Sequence, residues 1–355
     1  MPNARDRRNP APALDAGAVL AWYDAHARSL PWRVSPADRA IGLRPDPYRV
    51  WLSEIMLQQT TVAAVGRYYA RFLSLWPTVV DLAAAPLEAV LVEWAGLGYY
   101  ARARNLHACA RAVVDRFAGR FPENLDDLLT LPGIGPYTAA AIAAIAFDAP
   151  VPVIDGNVER VMARYLALPV APRDAKPEIA AALSAAMPAR SGDFAQALMD
   201  LGSTICTPRQ ASCLVCPLRP GCLAAREEPL AYPVKAEKAA RPTRHGHAFV
   251  LLDADGDVYL RKRPPDGLLG GMSETPTSDW SGAKSDPAFP SEAEWTRHGQ
   301  VVHVFTHFRL ELDVWSARIT DPAAFPEGWW ATPGTLHKQA LPTVFRKVLA
   351  AAGLQ

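Results

Sequence analysis

The spacing of apolar residues changes along the chain and divides it into two parts of different class. Before residue 223 apolar side chains recur at a helical period, for example over 158–166, where they form one continuous stripe. After residue 244 they alternate with polar side chains, for example over 308–314. Residues 224–243 hold charges and prolines without an apolar period, which is typical of a linker. We therefore predict a multi-domain chain, with an all-α domain over 15–223 and an α+β domain over 244–355.

Composition limits the classes of protein to which the chain can belong. Thirty-seven basic and 36 acidic residues leave a formal charge of +1, so a polyanion would have to bind at local patches. Residues 1–14 are rich in proline and arginine, which predicts a disordered N-terminus, and they lead into no apolar signal sequence. No uncharged apolar run reaches the length of about 18 residues that a membrane span needs. We expect a soluble, monomeric cytoplasmic protein without membrane contact, associated with the nucleoid if its source is bacterial.

Four of the five cysteines are bunched in the order C-x6-C-x2-C-x5-C. These four are Cys206, Cys213, Cys216 and Cys222. In an intracellular chain such a segment, 206–222, predicts a metal-binding loop rather than disulfides. Zinc held by thiolates alone usually has two close pairs of cysteines, and only one pair is close here. The uneven spacing favours one [4Fe–4S] cluster, with zinc, disulfides and free thiols as alternatives, and Cys109 is expected to be an ordinary buried thiol.

A glycine-containing hairpin, LPGIGPYTAAAIAAIAF, occupies residues 131–147. Gly133 and Gly135 permit a tight turn, and Pro136 suits the first position of the following helix. The free N–H groups at such a helix start attract an anion, which in DNA would be a backbone phosphate. Two glycines alone would also fit a plain turn between helices, and the surrounding Leu-Pro-Gly-x-Gly pattern favours the phosphate.

Two carboxylates lie in contrasting sequence environments. Glu54 falls inside the apolar run LSEIMLQQT, residues 52–60, where burial would favour its neutral form. Asp155, in VIDGNVERV, precedes a predicted helix. Asp155 or Asn157 could simply cap that helix, and the positive end of the helix dipole also favours an ionised carboxylate. One proton donor and one anion is the combination that acid catalysis next to a developing cation requires.

These motifs together resemble a known family. The hairpin, VIDGNVERV and the four-cysteine segment resemble the helix-hairpin-helix DNA glycosylases with an iron–sulfur cluster, over most of 18–223. LSEIMLQQT and GLGYYARARNL, residues 96–106, resemble the adenine-specific branch, the MutY family. The resemblance implies base excision repair of double-stranded DNA, in which adenine mispaired with 8-oxoguanine or guanine is hydrolysed from its sugar. An endonuclease III-like glycosylase/lyase for oxidised pyrimidines and a silent lesion-binding protein remain alternatives.

The resemblance also implies catalytic roles. Glu54 would donate a proton to adenine, Asp155 would stabilise the cationic sugar, and Asn157 would orient the site. At Tyr137, relatives that cut the strand carry a lysine, whose amine forms a Schiff base that a phenol cannot form. We therefore predict a monofunctional glycosylase that leaves an abasic site, although a lysine elsewhere could give weak lyase activity.

By the same resemblance, four residues of the first domain would contact DNA near the mispair. Gln59 would wedge into the space left by the flipped adenine, and Tyr99 would intercalate beside the oxidised guanine. Thr60 and Leu97 would line the opposite base. Stacking of a base on an aromatic ring contributes about 1–3 kcal/mol, which would help to offset base flipping. From spacing alone, Tyr99 would instead be an ordinary half-buried aromatic residue.

The second domain, 244–355, resembles a Nudix-like fold through VYLRKRPPDGLLGGMSETPT, residues 258–277. The metal-binding helix of a Nudix hydrolase, G-x5-E-x7-R-E-x2-E-E, does not follow residue 277, which argues against hydrolase activity. The segment HVFTHFRL resembles the loop by which adenine glycosylases contact 8-oxoguanine. The resemblance assigns DNA contacts to Phe305, Thr306 and His307. As a bare motif, its two histidines would also suit a structural role or a zinc pair.

Overall fold

The computed structural model describes residues 13–234 and 240–354. The fold has two compact units, which we call unit 1 (Met1–Val80 with Cys109–Glu237) and unit 2 (Asp81–Ala108 with Lys238–Gln355). This division differs from the predicted one, because 81–108 lies within the predicted helical domain and yet groups with the C-terminal residues. Side-chain bonds explain the difference: Lys262 pairs with Glu88, and Arg104 donates to the Gly270 carbonyl.

Helices make up the described part of unit 1. In chain order the helices of the molecule are α1 (Ala16–His26), α2 (Pro36–Ala40), α3 (Pro47–Leu57), α4 (Val62–Leu75), α5 (Val79–Ala84), α6 (Leu87–Trp94), α7 (Ala101–Phe117), α8 (Leu125–Leu129), α9 (Pro136–Phe147), α10 (Gly156–Tyr165), α11 (Pro172–Ala185), α12 (Ser191–Thr204) and α13 (Thr343–Ala351). Helices α5 and α7 cross the borders between the units, α6 and α13 belong to unit 2, and the others belong to unit 1. No helix of the described ranges is long and apolar enough to cross a membrane.

Three helix contacts position the site of unit 1: α3 packs on α9, α9 on α12, and α12 on α10. The apolar stripe predicted over 158–166 is confirmed, since its side chains are buried against residues of α12 such as Leu198 and Leu201. Burying one large apolar side chain contributes roughly 1.5–3 kcal/mol, so this interface holds α10 firmly. Gly202 lets α12 approach Asn157 closely, because a Cβ there would lie 2.6 Å from the Asn157 Cβ.

Both ends of the predicted helical domain extend further than the sequence indicated. Residues 1–12 lie outside the described part, but Leu14 is buried in the core of unit 1, and the Ala13 carbonyl accepts a bond from the Tyr165 hydroxyl. At the other end Ala224 is fully buried, and Arg164 donates to the Tyr232 carbonyl. The first part of the predicted linker is therefore attached to unit 1.

Unit 2 is built on one mixed β-sheet. Its strands are β1 (Thr243–Leu252), β2 (Val258–Lys262), β3 (Ser273–Glu274), β4 (Thr296–Val304), β5 (Arg309–Arg318) and β6 (Gly328–Ala331). The order is β3-β2-β1-β5-β4 with β6 beside β2, and β1 runs parallel to β5. The predicted alternation over 308–314 is confirmed: Leu310, Leu312 and Val314 are fully buried, and they share one core with residues of α13 such as Phe345.

Candidate active site

Glu54 is a buried carboxyl group on α3. The helix begins with Pro47 after the Asp46 cap, and the apolar surroundings leave the Glu54 residue only 7% exposed. The Tyr137 hydroxyl on α9 donates a hydrogen bond to Glu54 Oε2 over 2.6 Å. Burial raises the pKa of Glu54 to about 7; the Tyr137 bond opposes this rise and the Asp155 carboxylate adds to it. The expectation that the helix favours a neutral Glu54 is thus supported by geometry.

Asp155 has the opposite environment, since N–H donors surround it. It caps α10, and its Oδ1 accepts from the backbone N–H groups of Asn157 (2.9 Å) and Val158 (2.7 Å). Its Oδ2 accepts from Asn157 Nδ2 over 2.9 Å. The cap interpretation and the functional one therefore coincide, because the bonds that start the helix also fix both carboxylate oxygens.

Asn157 is itself held by Arg160, one turn further along α10. Arg160 Nη2 donates to Asn157 Oδ1 over 2.8 Å, and its Nε donates to the Cys206 carbonyl over 2.8 Å. A chain of hydrogen bonds therefore runs from Asp155 through Asn157 and Arg160 to the first cysteine of the bunched segment.

One pocket in unit 1 brings together the four predicted catalytic residues and two of the predicted DNA contacts. Its lining includes Glu54, Gln59, Thr60, Tyr137, Asp155 and Asn157. Gln59 is exposed at the end of α3 with a positive φ of 59°, which is uncommon for a residue other than glycine. Strained backbone of this kind is concentrated at functional sites, so the position suits a side chain that must project.

The pocket also contains an ion pair that the sequence did not reveal. Arg33 makes a bidentate bond to Asp200 of α12, with Nη1–Oδ2 at 2.5 Å and Nη2–Oδ1 at 3.1 Å. Both side chains are buried, and the Arg33 Nε finds no acceptor among the described residues. Asp200 sits in the apolar run FAQALMDLG, so the clue that marked Glu54, an acid inside an apolar helix, would have found it too.

The hairpin before α9 has the predicted glycine geometry. Gly133 has φ of +72°, a conformation that favours glycine, and Gly135 is the N-cap of α9 with Pro136 at its start. No side chain caps the first turn of α9. Both glycines are exposed, so the N–H groups of this turn can reach an anion.

In unit 2, the loop before α7 lies against the segment after β4. Tyr99, 45% exposed, has a positive φ of 49°, and its hydroxyl is hydrogen-bonded to the Thr306 hydroxyl. Arg102 lies over the Tyr99 ring and donates to the Leu97 carbonyl over 3.2 Å. Two predicted DNA-contacting residues that are 207 positions apart in the sequence, Tyr99 and Thr306, are therefore in contact.

The remaining predicted residues of unit 2 differ in exposure. Thr306 and His307 are exposed, whereas Leu97 is buried. Phe305 is half-buried and packs against the rings of Trp280 and Phe308. Leu97 and Phe305 therefore present less side-chain surface than Thr306 and His307, and in the described ranges no third potential ligand joins the two histidines that could have formed a zinc pair.

The four bunched cysteines line one cavity and form no disulfide. Arg164, a buried side chain of α10, lines the same cavity, and its Nη1 lies 3.2 Å from Cys206 Sγ. It forms no ion pair with a carboxylate of the described residues, so thiolates would supply its missing counter-charge. The donor set therefore fits an anionic cluster. Cys109 is a buried free thiol, as predicted.

Comparison with known proteins agrees with this geometry. Residues 52–187 match the HhH-GPD superfamily of base excision DNA repair proteins, and 247–351 match the NUDIX domain. The adenine DNA glycosylase of Homo sapiens is 35% identical over 94% of this chain and 72% of that protein. The adenine DNA glycosylase of Rattus norvegicus is 36% identical over 93% of this chain and 76% of that protein. The chain belongs to the adenine DNA glycosylase family.

Membership of the adenine DNA glycosylase family makes the chain a DNA-binding enzyme of base excision repair and favours it over the endonuclease III-like alternative. A solved thermostable thymine-DNA glycosylase shares the helical fold, with 28% identity and a TM-score of 0.53 over 60% of this chain and 95% of that one. The predicted fold class, a helix-hairpin-helix glycosylase domain followed by a Nudix-like domain, is confirmed.

Proposed function

We propose that this glycosylase removes adenine mispaired with 8-oxoguanine or guanine from double-stranded DNA and leaves an abasic site. The observation that carries the proposal is the pair Glu54 and Asp155, which line one pocket in opposite environments. A buried acid beside a carboxylate with both oxygens fixed is the arrangement that breaking a glycosidic bond through a cationic sugar requires.

Glu54 acts first, as the acid. It transfers its proton to a ring nitrogen of the flipped adenine, so that the base can leave with the bonding electrons of the C1′–N bond. Because its pKa is raised to about 7, a large fraction of Glu54 holds the proton near neutral pH. The Tyr137 hydroxyl keeps the carboxyl group in place through its 2.6 Å bond.

Asp155 then faces the positive charge that develops on the sugar. Its oxygens are fixed by Asn157 and Val158, so little reorganisation is needed as the charge forms. Water adds to C1′ and gives its proton to the Glu54 carboxylate, which restores the acid. Asn157 is a positioning residue, held in turn by Arg160.

Exposed residues with unusual backbone support the proposed DNA contacts. Gln59 would enter the stack that adenine leaves, and Tyr99 would stack beside the opposite base. We propose that Thr60 lines the opposite base and that the turn Gly133–Gly135 holds a phosphate without reading sequence. Thr306 and His307 would recognise the 8-oxoguanine edge and its phosphate, supported by Leu97 and Phe305.

We also propose that Cys206, Cys213, Cys216 and Cys222 hold one [4Fe–4S] cluster. When bound, the cluster would cross-link residues 206–222 through four thiolates. Arg164 would neutralise part of their charge, and Arg160 would connect the loop to Asn157. Because the base pocket is complete within one unit of one chain, we propose that the enzyme acts as a monomer on cytoplasmic DNA.

One assay tests the activity. End-labelled duplexes with adenine opposite 8-oxoguanine are incubated with the protein and separated with and without alkali treatment. We expect cleavage only after alkali, and none with adenine opposite thymine. Cutting without alkali would contradict the monofunctional route, and failure to release adenine would contradict the function. A colourless protein that carries zinc, or a Cys213→Ala variant that keeps a brown thiolate–iron absorbance, would contradict the cluster.

A further inference from the structure

A cavity in unit 2, which we call the aromatic cavity, is lined by aromatic rings and a carboxylate. It measures about 760 Å³, within the range of roughly 300–1,000 Å³ that is typical of ligand pockets. Phe289, Trp295 and Trp315 contribute the rings and Glu292 contributes the carboxylate, and no basic side chain of the described residues lines the cavity. The proposed excision of adenine uses none of these four residues. Because the face of an aromatic ring attracts a cation, rings beside a negative charge suit a cationic ligand.

The rings of the aromatic cavity are held in place by contacts within unit 2. Trp295 Nε1 donates to the Ser291 carbonyl over 3.2 Å, and Trp315 Nε1 donates to His247 Nδ1 over 3.3 Å. The Phe289 ring packs on both tryptophans, with its centroid 4.9 Å from that of Trp295 and 5.2 Å from that of Trp315. Phe289 nevertheless stays 39% exposed, so this large apolar residue remains available to a ligand. A ligand would therefore meet a surface that is already formed, which lowers the entropy cost of binding.

Negative charge extends beyond the aromatic cavity. A second cavity, of about 660 Å³, shares Glu292 with it and adds the carboxylates of Glu294 and Asp321. The one basic side chain among the described residues that line this second cavity is Arg318, which donates to the Asp253 carbonyl. Three carboxylates and one guanidinium therefore line the two cavities together. Such an excess of negative charge repels the phosphates of a nucleic acid and attracts a basic segment of a protein.

We infer that the aromatic cavity binds an arginine side chain presented by a basic segment of a partner protein. A guanidinium is planar and weakly hydrated, so it stacks flat on an aromatic ring such as that of Phe289. Its N–H groups lie in its own plane and donate sideways, towards a carboxylate beside the rings such as that of Glu292. A lysine ammonium is more strongly hydrated and has no plane to stack, so it fits the same surface less well.

NMR spectroscopy of the full-length protein tests the inference and locates the ligand. Tryptophan is labelled with ¹⁵N, and the indole N–H signals of Trp295 and Trp315 are assigned from the variants Trp295→Phe and Trp315→Phe. The protein is titrated with a short capped peptide that holds one arginine among glycines and serines. Matched peptides carry lysine, or citrulline, which keeps the planar shape without the charge. A single-stranded oligonucleotide tests whether the cavity binds nucleic acid instead.

We expect the arginine peptide to shift the Trp295 and Trp315 signals until they saturate, the lysine peptide to bind more weakly, and the citrulline peptide to leave the signals unchanged. Phe289→Ala should weaken binding of the arginine peptide by at least about threefold, whereas Phe289→Tyr keeps the ring and should bind within about twofold of the unmodified protein. Glu292→Gln should also weaken binding, because it removes the charge that faces the guanidinium. The indole signals of the other tryptophans report whether each variant is folded.

Glu178→Gln is the matched control for loss of charge, because Glu178 is an exposed residue of α11 in unit 1 and lines neither cavity. Equal losses in Glu178→Gln and Glu292→Gln would overturn the inference, as would equal binding of the arginine and citrulline peptides or no shift with any peptide. A shift of both signals by the oligonucleotide would indicate a nucleic-acid site instead. Signals that move with protein concentration alone would indicate a second copy of the chain, and either result would also overturn the inference.

Discussion

The base pocket of unit 1 and the loop surface of unit 2 use polar side chains in different ways. In the pocket, Glu54 and Asp155 are each fixed by hydrogen bonds, and burial changes the proton affinity of Glu54. On the surface, Tyr99 and Thr306 are exposed and touch each other. In the proposed function, catalysis depends on the environments of buried side chains, whereas recognition depends on exposed side chains that the backbone presents outward. Substitutions in the pocket should therefore lower the excision rate, whereas substitutions on the surface should weaken DNA binding.

The largest effect is expected from removing either carboxylate. Glu54→Gln cannot donate a proton to adenine, and Asp155→Asn cannot offset the charge of the sugar. General acid–base groups contribute about 10²–10⁴-fold, so single-turnover excision should fall by at least that range. Binding to the mispaired duplex, measured by gel shift, should stay within a few-fold, since neither side chain presents a recognition surface. A near-normal rate in either variant would contradict the assigned roles.

The burial of Glu54 also predicts an unusual dependence of stability on pH. Its folded-state pKa lies above the ordinary value, so the folded protein binds this proton more tightly than the unfolded chain. The contribution is complete at low pH and is lost as pH rises through about 7. Glu54→Gln lacks this loss, and we expect it to exceed the unmodified protein in unfolding free energy by about 3 kcal/mol at pH 8 and little at pH 4. Denaturant unfolding at both pH values measures this difference. The same change in unfolding free energy between pH 4 and pH 8 in the two proteins would contradict the prediction.

On the recognition surface the expected losses are smaller and affect binding. Tyr99→Ala removes the ring, so affinity for the adenine:8-oxoguanine duplex should fall by about 1–3 kcal/mol, measured in a Glu54→Gln background to prevent turnover. Tyr99→Phe keeps the ring and loses only the bond to Thr306, which contributes about 0.5–1.5 kcal/mol. If both variants bind equally well, stacking by the ring is not the source of affinity.

The smallest effect is expected at the hairpin of unit 1, which would contact DNA through backbone N–H groups rather than through side chains. Gly133 has φ of +72°, so Gly133→Ala should destabilise the fold by about 1 kcal/mol and weaken binding to any duplex, matched or mispaired. Gly66→Ala is the matched control, because Gly66 lies inside α4 with open space around it and should gain about 0.5–1 kcal/mol. Thermal unfolding separates the two, and a stabilised Gly133→Ala would contradict the strain argument.

Local patterns predicted much of this molecule, and long-range pairs account for what they missed. The stripe over 158–166 and the acid inside α3 are visible because period and polarity are local properties. The pair Arg33–Asp200 joins residues 167 positions apart, and Lys262 meets Glu88 across 174 positions. The hydrophobic periodicity of a sequence does not specify which distant residues form ion pairs. The sequence therefore could not show that 81–108 packs with the C-terminal residues.

The hydrogen bond between Tyr137 and Glu54 links the identity of residue 137 to the protonation of Glu54. A lysine at residue 137 would supply the amine of a strand-cutting relative, but its ammonium would lie against Glu54 and hold that carboxyl group ionised. A lysine at residue 137 would then remove the protonated form of Glu54 that donates to adenine. We therefore expect Tyr137→Lys to lose adenine release even where it forms an imine that borohydride can trap, as measured on mispaired and abasic duplexes.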